Sequence, residues 1–404
     1  MPGKPETYDV LVLDATNKQS LAAARSLGRA GLRAALGESV GQYRPHPPPA
    51  FRSRYCARSV TLANYLDDPA GYVESVADFA RAHRVPVVLP TGDASIAALA
   101  PHRERLAGLG CVLAVAPDAA LDIANDKSRT LQVAAKLGIA YPASVPVCGA
   151  DQLRAAEAAF GYPFVVKPTV SWTGLAADRV VPVEVVDEAE ALDAARRFLD
   201  SGAGVLAQQW ACGRREGVTL FIDHGEVVAS CGHVAHRTSP PLGGASVLRE
   251  SMAVPPELFD ASVRLAKAIG LEGVCEVEFR RDAAGHPLLM EVNPRLAGTL
   301  ENAIRSGVDF PLMTWQWATG QRVRPVHSYR TGVRTRWLHG DLRWLRENRE
   351  RPGRPDSVSG ARAAWAFTAE FARTRNYDYF DRSDLGPGLA ELRNIVQVIG
   401  KAWH

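Results

Sequence analysis

The sequence predicts an α/β protein that starts with a parallel sheet and continues into antiparallel strands and helices. Nearly continuous apolar runs near the N terminus are typical of buried parallel strands, and a helical stretch separates the first two strands. Further along, apolar stretches joined by turn residues predict hairpins. A chain of 404 residues is long enough for two or three domains with a large buried core.

Composition and charge are those of an ordinary globular protein. Hydrophobic residues make up 47% and charged residues 23% of the chain. The formal net charge of +3 is too small to indicate a nucleic-acid partner by itself. The first ten residues lack the apolar core of a signal peptide, and no apolar run reaches the length of a membrane span. We therefore expect a cytoplasmic protein.

The six cysteines are scattered along the chain, and none forms a C-x-x-C pair. This spacing indicates neither a zinc ribbon nor a disulfide framework.

The first domain opens with a βαβ pattern of Rossmann type. Tyr8–Leu13 is the first strand, Ser20–Ala30 has helical composition, and Arg33–Leu36 is the second strand. The stretch DATNKQ between strand and helix has no glycine, so the G-x-G-x-x-G fingerprint is absent. The domain therefore has a nucleotide-binding shape without that fingerprint.

Asp93 follows another buried strand, Val85–Leu89, in the turn Pro90-Thr91-Gly92-Asp93. The carboxyl ends of strands in open α/β sheets line ligand crevices, so Asp93 is a candidate substrate contact. A helix N-cap explains it equally well. Cys111–Ala116 is the last strand predicted in this domain.

Two lysines stand out in the middle of the chain. Lys127 lies at the start of a helix that runs to about Leu137 and is capped by Gly138; alone, it reads as a solvated helix lysine. Lys167 ends the apolar strand Phe164–Pro168, where a buried cation is costly unless it is paired.

A third set of signals precedes the acidic segment. Val205–Gly213 is a strand, and Val218–Ile222 with Val227–Ser230 is a hairpin. We expect Gly232–Glu250 to be a structured loop, because it contains two prolines and a Gly-Gly pair without periodicity. Helices are predicted over Pro256–Leu271, Gly298–Ser306 and Val308–Gly320.

The segment from Glu276 to Arg295 carries the chemistry. It predicts two strands joined by a turn, and alternate residues in a strand share a face. Glu278 and Glu291 can then lie side by side, with Asn293 on the same face. Two carboxylates and an amide oxygen suit magnesium, and a nearby arginine, Arg295, suits phosphates. The alternative is the solvated face of a hairpin, which does not account for Asn-Pro-Arg at a strand exit.

This segment resembles the metal-binding signature of the ATP-grasp superfamily, an acidic residue in one strand followed by Glu-x-Asn-Pro-Arg in the next. The likeness is to carboxylate–amine ligases and to a single module of the carbamoyl phosphate synthetase large subunit. It implies a pre-ATP-grasp, Rossmann-like domain over 1–117 and a two-lobed α+β ATP-grasp module over 118–320, with a hinge near 205–213. A small C-terminal appendage over 321–404 lies beyond the resemblance.

The resemblance also implies the roles of individual residues. Magnesium, or alternatively manganese, would be held by the predicted ligands, and ATP would be held by residues of the two lobes. The metal ligands are Glu278, Glu291 and Asn293, and the nucleotide contacts are Lys127, Lys167, Gln208, Gln209, Trp210 and Glu216. Glu216 would bind the ribose, although an exposed glutamate is an even alternative.

Three further residues are implied as catalytic. Arg295 adds positive charge at the phosphates, while His236 and Arg237 would face the acyl phosphate or the acceptor. For His236 a structural hydrogen bond is equally compatible. Thr169–Ala176 would be the lid over the phosphates, with one glycine, Gly174, where many relatives have more.

The implied reaction is ligation of a small-molecule carboxylate to an amine through an acyl phosphate, with no nucleic-acid or membrane partner. Self-association as a homodimer is left open. The alternatives are an ATP-grasp kinase or carboxylase-like enzyme, and a non-catalytic ATP-binding module. The arginines of Gln321–Trp337 are either a solvated strand pair or an anion-binding patch.

Overall fold

The computed structural model describes residues 6–42, 46–170, 172, 182–241 and 243–401. Their strands form three sheets of five, four and seven strands. The first sheet is parallel, and the others are antiparallel except for one pair at the edge of the largest sheet. The predicted α/β class, with a parallel N-terminal sheet followed by antiparallel α+β lobes, is confirmed.

The N-terminal sheet has the order β3-β2-β1-β4-β5, with all pairs parallel. Leu11, Val12 and Leu36 are fully buried, which explains the continuous apolar runs in these strands. Its elements are β1 Val10–Val12, α1 Lys18–Arg29, β2 Ala34–Ser39, β3 Cys56–Leu62, α2 Pro69–His83, β4 Val87–Leu89, α3 Asp93–Leu99, α4 Arg103–Ala107, β5 Val112–Leu113 and α5 Asp118–Ala124.

The four-stranded sheet has the order β6-β9-β7-β8 and packs against two helices. Phe164, Val166 and Phe198 are buried between the sheet and these helices. The elements are α6 Lys127–Lys136, β6 Ser144–Val147, α7 Ala150–Phe160, β7 Phe164–Pro168, β8 Val183–Val185, α8 Glu188–Asp200 and β9 Val205–Gln209.

The seven-stranded sheet has the order β14-β13-β10-β11-β12-β15-β16. One face of it shares an apolar core with the N-terminal sheet through Phe221, Cys231 and the helices beside them. The elements are β10 Arg215–Asp223, β11 Glu226–Ser239, β12 Ala245–Met252, α9 Pro256–Ile269, β13 Gly273–Arg281, β14 Pro287–Asn293, α10 Leu300–Ser306, α11 Phe310–Ala318, β15 Arg334–Arg336, α12 Leu338–Glu350, α13 Gly360–Arg373, β16 Asn376–Tyr377 and α14 Leu385–Lys401.

The prediction that Gly232–Glu250 is a loop is wrong. The segment belongs to two paired strands, β11 and β12, which are joined by a short turn. The prolines and glycines that suggested a loop are confined to that turn, at Pro240, Pro241, Gly243 and Gly244. A Cβ added at Gly244 would overlap the carbonyl oxygen of Ser239, so the tight turn requires glycine there.

The C-terminal region adds two strands to the large sheet. β15 pairs antiparallel with β12, and β16 pairs parallel with β15. The division into 1–117, 118–320 and 321–404 stays a prediction. Among the described residues, no helix combines the length and apolar character that crossing a membrane requires.

Candidate active site

The hairpin of β13 and β14 brings the acidic side chains together. In its register, Glu278 lies opposite Glu291, and Glu276 lies opposite Asn293. Cross-strand partners share a face of the sheet, so all four side chains project to the same side. The Asn293 amide nitrogen lies 3.3 Å from Glu278 Oε1 and 3.4 Å from Glu291 Oε1. The two carboxylates therefore converge on one amide.

Glu278 is held in an unusual electrostatic setting. Burial raises the pKa of its carboxyl above the ordinary value, and the neighbouring charge of Glu291 contributes to the rise. The guanidinium of Arg215 opposes it, with Nη2 donating to Glu278 Oε1 at 2.5 Å. A bound cation would favour the ionised carboxylates in the same way as this arginine does.

Arg295 joins the hairpin to the N-terminal sheet. Its guanidinium pairs with Asp93, and its Nη2 donates to Asn293 Oδ1 at 3.3 Å. Asp93 is the first residue of α3, and no side-chain capping bond to the helix is formed at that end. Asp93 thus pairs with the arginine of the site, and its role as a substrate contact stays a prediction.

Lys127 approaches the hairpin from the start of α6. Asp126 caps this helix by accepting from the backbone N–H groups of Ser128 and Arg129. The cap fixes the first turn, and Lys127 Nζ lies 3.9 Å from Glu291 Oε2. A cleft lies between the start of α6, the start of α3 and the end of β14. Its lining includes Asp93, Asn125, Lys127, Trp172, Glu291 and Asn293.

Lys167 is buried at the end of β7 and donates to Gln208 Oε1 at 2.7 Å. Gln208 in turn donates to the Ser144 hydroxyl at 2.9 Å. Burial, and then the charge of Lys127, lower the pKa of Lys167 to about 7. The prediction that Lys167 lies on a buried strand agrees with the structure. Its hydrogen-bond partner is a neutral glutamine.

The predicted hinge residues lie at the end of β9. Gln209 is exposed, and its backbone N–H donates to the carbonyl of Ala143 at 2.8 Å. The Trp210 ring lies under the Arg280 guanidinium, 4.9 Å from its centre. These two positions stay predicted nucleotide contacts.

The prediction that Glu216 binds a ribose needs correction. Glu216 alternates with Arg215 along β10, so it projects to the face opposite Glu278. It is fully buried there and is paired with Arg281 and Arg214. The residue on the cleft face is Arg215, one position earlier. The sequence shows that neighbouring residues of this strand face opposite sides of the sheet. It does not show which of the two sides faces the cleft.

His236 and Arg237 also lie elsewhere than predicted. His236 Nε2 lies 3.0 Å from Glu250, and Arg237 Nη1 donates to both carboxylate oxygens of Asp341 of α12, at 2.8 and 3.0 Å. Arg237 also stacks on Trp344 at 4.5 Å. Arg237 is committed to α12, so we correct its predicted catalytic role to a structural one. The contact of His236 with Glu250 matches the alternative of a structural hydrogen bond, and its catalytic role stays a prediction.

The side chains of the hairpin can be compared with the ligands that a divalent cation requires. Among the described residues, no cluster of three or more His, Cys, Asp or Glu side chains is arranged to hold a metal. The candidate set is two carboxylates and one amide, Glu278, Glu291 and Asn293. Oxygen ligands of this kind suit magnesium, which is usually held by one or two carboxylates together with phosphates. The residues present therefore fit such an ion.

The predicted lid is the one site element whose geometry stays open. Residues 171 and 173–181 lie outside the described residues, and they include Gly174 and most of the predicted lid. The lid therefore stays a prediction. Its flanks, Val170 and Trp172, line the cleft.

Fold and site together show a cleft beside the β13–β14 hairpin that is lined by oxygen ligands and by Lys127. Comparison with known proteins shows what the chain is similar to. Residues 222–340 match the family described as "ATP-grasp in the biosynthetic pathway with Ter operon". The D-alanine–D-alanine ligase of Stutzerimonas stutzeri is 29% identical over 180 residues, which is 42% of this chain and 55% of that ligase. The chain thus spans about half the length of the curated ligases that it matches.

Solved structures of related fold cover more of the chain. Biotin carboxylase from Campylobacter jejuni aligns with a TM-score of 0.62 at 18% identity, covering 81% of this chain and 74% of that one. The L-amino acid ligase from Bacillus licheniformis aligns with a TM-score of 0.57 at 17% identity, covering 80% and 78%. At such identities these likenesses show the fold. Residues 222–340 are thus similar to an ATP-grasp family, and the fold is similar to those of a biotin carboxylase and an L-amino acid ligase.

Proposed function

We propose that this chain is an ATP-dependent carboxylate–amine ligase that releases ADP and phosphate. The observation that carries the proposal is the pair Glu278 and Glu291, which face each other across a hairpin with Asn293 beside them. Lys127 brings positive charge to the same group from α6, and Arg295 brings it from the segment that follows β14. Oxygen ligands and fixed cations in one cleft suit the phosphates of ATP with magnesium.

The chemistry follows from the low reactivity of a carboxylate. An oxygen of the substrate carboxylate attacks the γ-phosphorus of ATP, and the bond to ADP breaks. The product is an acyl phosphate, whose phosphate is a good leaving group. An amine nitrogen then attacks the acyl carbon, the amide-type bond forms, and phosphate departs with the electrons of the C–O bond.

No covalent enzyme intermediate is needed for this sequence. Burial raises the pKa of the Cys56, Cys111, Cys231 and Cys275 thiols, which keeps them protonated near neutrality. The protein contributes by positioning and by electrostatics.

We assign the nucleotide and metal contacts as follows. Glu278, Glu291 and Asn293 hold magnesium, with manganese as an alternative ion. The ion, when bound, offsets the charge that develops on the phosphates. Lys127 and Arg295 supply fixed positive charge there. The polyphosphate and adenine contacts are assigned to Lys167, Gln208, Gln209 and Trp210.

The test is ADP release with pools of small acids and amines, combined with trapping by hydroxylamine. A ligase forms an acyl hydroxamate when hydroxylamine replaces the amine, in an amount that matches the ADP released. ADP release without hydroxamate, together with a stable phosphorylated product, would indicate a kinase instead. Nucleotide binding without acid-dependent ADP release from any pool would favour a non-catalytic module.

A further inference from the structure

A second charged group lies beside Glu278 on the same face of the large sheet. Arg215 of β10 and Arg249 of β12 both pair with Ala235 of β11, so they share its face. His233 lies two residues from Ala235 on β11 and has the same orientation. Lys18 reaches this group from α1, and its Nζ donates to the carbonyl of Ser246 at 2.7 Å. We call Lys18, Arg215, His233 and Arg249 the basic cluster.

The basic cluster is buried, and several of its polar atoms have no partner. Side-chain exposure is 9% for Lys18, 16% for Arg215, 4% for His233 and 0% for Arg249. Among the described residues, no hydrogen-bond partner is present for the buried Nε atoms of Arg215 and Arg249 or for Nε2 of His233. Buried polar atoms are normally satisfied, so three orphaned nitrogens in one group point to a missing acceptor.

The charged members of the basic cluster have carboxylate partners, but one of these carboxylates is also a candidate metal ligand. Arg249 is bidentate to Asp378, and Lys18 Nζ lies 3.6 Å from the same carboxylate. Arg215 depends on Glu278, which is also a candidate metal ligand. If Glu278 held a divalent cation, its negative charge would be shared between that cation and the Arg215 guanidinium. Arg215 then needs another anion, because an uncompensated buried charge is costly.

His233 adds a polar group without adding charge. Burial, together with the neighbouring charges of Arg215, Arg249 and Lys18, lowers the pKa of its imidazole to about 3 against the pull of Glu278. The ring is therefore neutral near pH 7. Its Nδ1 lies 3.7 Å from Glu276. Burial lowers the pKa of Lys18 to about 7, so Arg215 and Arg249 carry most of the positive charge of the basic cluster.

We infer that the basic cluster is an anion subsite that binds one carboxylate group of a small-molecule substrate, beside the candidate metal ligands. The inference rests on the proposed ligase function. The carboxylate has two sources in such a reaction. It belongs either to the acid that is phosphorylated or to an acceptor amine that itself carries a carboxylate. The chemistry of recognition is the same for both, since a guanidinium and an ammonium receive the carboxylate oxygens.

The first experiment measures binding without turnover. Carbon-13-labelled acetate is titrated into the full chain in the presence of Mg²⁺ and ADP, and its binding is followed by NMR line broadening. We expect Lys18→Met and Arg215→Gln to weaken acetate binding tenfold or more. Arg305→Gln is the matched control, because Arg305 is a partly buried arginine paired with Glu301 and Asp381 outside the basic cluster. Thermal unfolding confirms that each variant is folded.

The second experiment separates the two sources. With hydroxylamine as acceptor, only the acid brings a carboxylate to the reaction. A KM for the acid that rises tenfold or more in Lys18→Met assigns the subsite to the acid. An unchanged hydroxamate reaction, with a raised KM for a carboxylate-bearing acceptor, assigns it to the acceptor.

Two results would overturn the inference. One is acetate binding that is equal in wild type, Lys18→Met and Arg215→Gln, or absent from the wild type. The other is an unchanged KM for both substrates in the Lys18 variant. Acetate binding needs no ligation, so acetate that binds through the basic cluster while hydroxamate fails to form would count against the ligase function and not against the subsite.

Discussion

At the scale of single residues, the two glutamates of the hairpin differ in surroundings although they face each other. Glu278 is buried and bound by Arg215, whereas Glu291 is partly exposed and lies on the cleft beside Lys127. Glu278 is therefore held in place by protein contacts, and Glu291 has access to a ligand that enters the cleft.

We expect Glu291→Gln to abolish turnover while the fold stays intact. Glutamine keeps the shape of the side chain and removes the charge that would hold a cation. ADP formation at saturating magnesium and thermal unfolding are the measurements. A variant that forms ADP at close to the wild-type rate would refute the assignment of Glu291 as a metal ligand.

Lys167 is the second residue whose setting leads to a prediction. Lys167→Ala should weaken ATP binding far more than Lys267→Ala, measured by calorimetry. Lys267 is a matched lysine that lies half-exposed on α9 and pairs with Glu226. Equal ATP affinity in the two variants would mean that Lys167 does not contact the nucleotide and has only a structural role in β7.

The same lysine gives ATP binding a defined pH dependence. Its pKa of about 7 lies below the ordinary lysine value of 10.5, so much of it is neutral in the free protein above pH 7. Phosphate oxygens favour the charged form and raise the pKa. ATP binding then takes up a proton between pH 7 and 10.5, and affinity falls as pH rises through that window, by at most about tenfold per pH unit. Lys167→Ala should remove this slope.

At the scale of elements, close packing between β10 and β11 shapes the site. Gly217 pairs with His233, and a Cβ added at Gly217 would overlap the imidazole ring. The ring is buried. Gly217 therefore sets the position of His233.

We expect Gly217→Ala to destabilise the protein by about 1–3 kcal/mol through overpacking. Chemical denaturation measures the change. Gly149→Ala is the control, because Gly149 has extended backbone and no atom within 3.4 Å of an added Cβ. A Gly217→Ala variant as stable as the Gly149→Ala variant would show that His233 repacks freely.

The sequence predicts elements better than it predicts faces. The strand Phe164–Pro168 and the hairpin that pairs Glu278 with Glu291 follow from apolar runs and turn residues, which are local signals. The face on which Glu216 lies depends on the phase of β10, and that phase is fixed by its neighbours in the sheet. The partner of Arg237 lies about a hundred residues away, on α12. No local pattern encodes such contacts.

At the scale of the whole molecule, buried ion pairs tie the C-terminal segment to the first helix. Arg25 of α1 donates from Nε to Asp384 at 2.8 Å, and from its Nη atoms to the carbonyl oxygens of Asp378 and Tyr379. Both partners of the Arg25–Asp384 pair are at most 1% exposed. Asp384 also accepts from the Ser53 hydroxyl and the Arg54 backbone N–H.

Asp384→Ala should cost about 3–5 kcal/mol of the free energy of unfolding, because it leaves the Arg25 guanidinium buried without a carboxylate. Denaturant unfolding measures this loss. Asp151→Ala, which removes an exposed pair with Arg154, should give no measurable change. A small loss in the Asp384 variant would mean that Arg25 is satisfied by carbonyl oxygens alone.

The Arg25–Asp384 pair has a consequence for the order in which the protein folds during synthesis. The strands and first helix of the N-terminal sheet leave the ribosome early, while the carboxylate that neutralises Arg25 follows only after more than three hundred further residues. Until then the Arg25 guanidinium lacks both its carboxylate and the carbonyl oxygens of Asp378 and Tyr379. The packing around the first helix is therefore completed only when residues 378–384 have joined it.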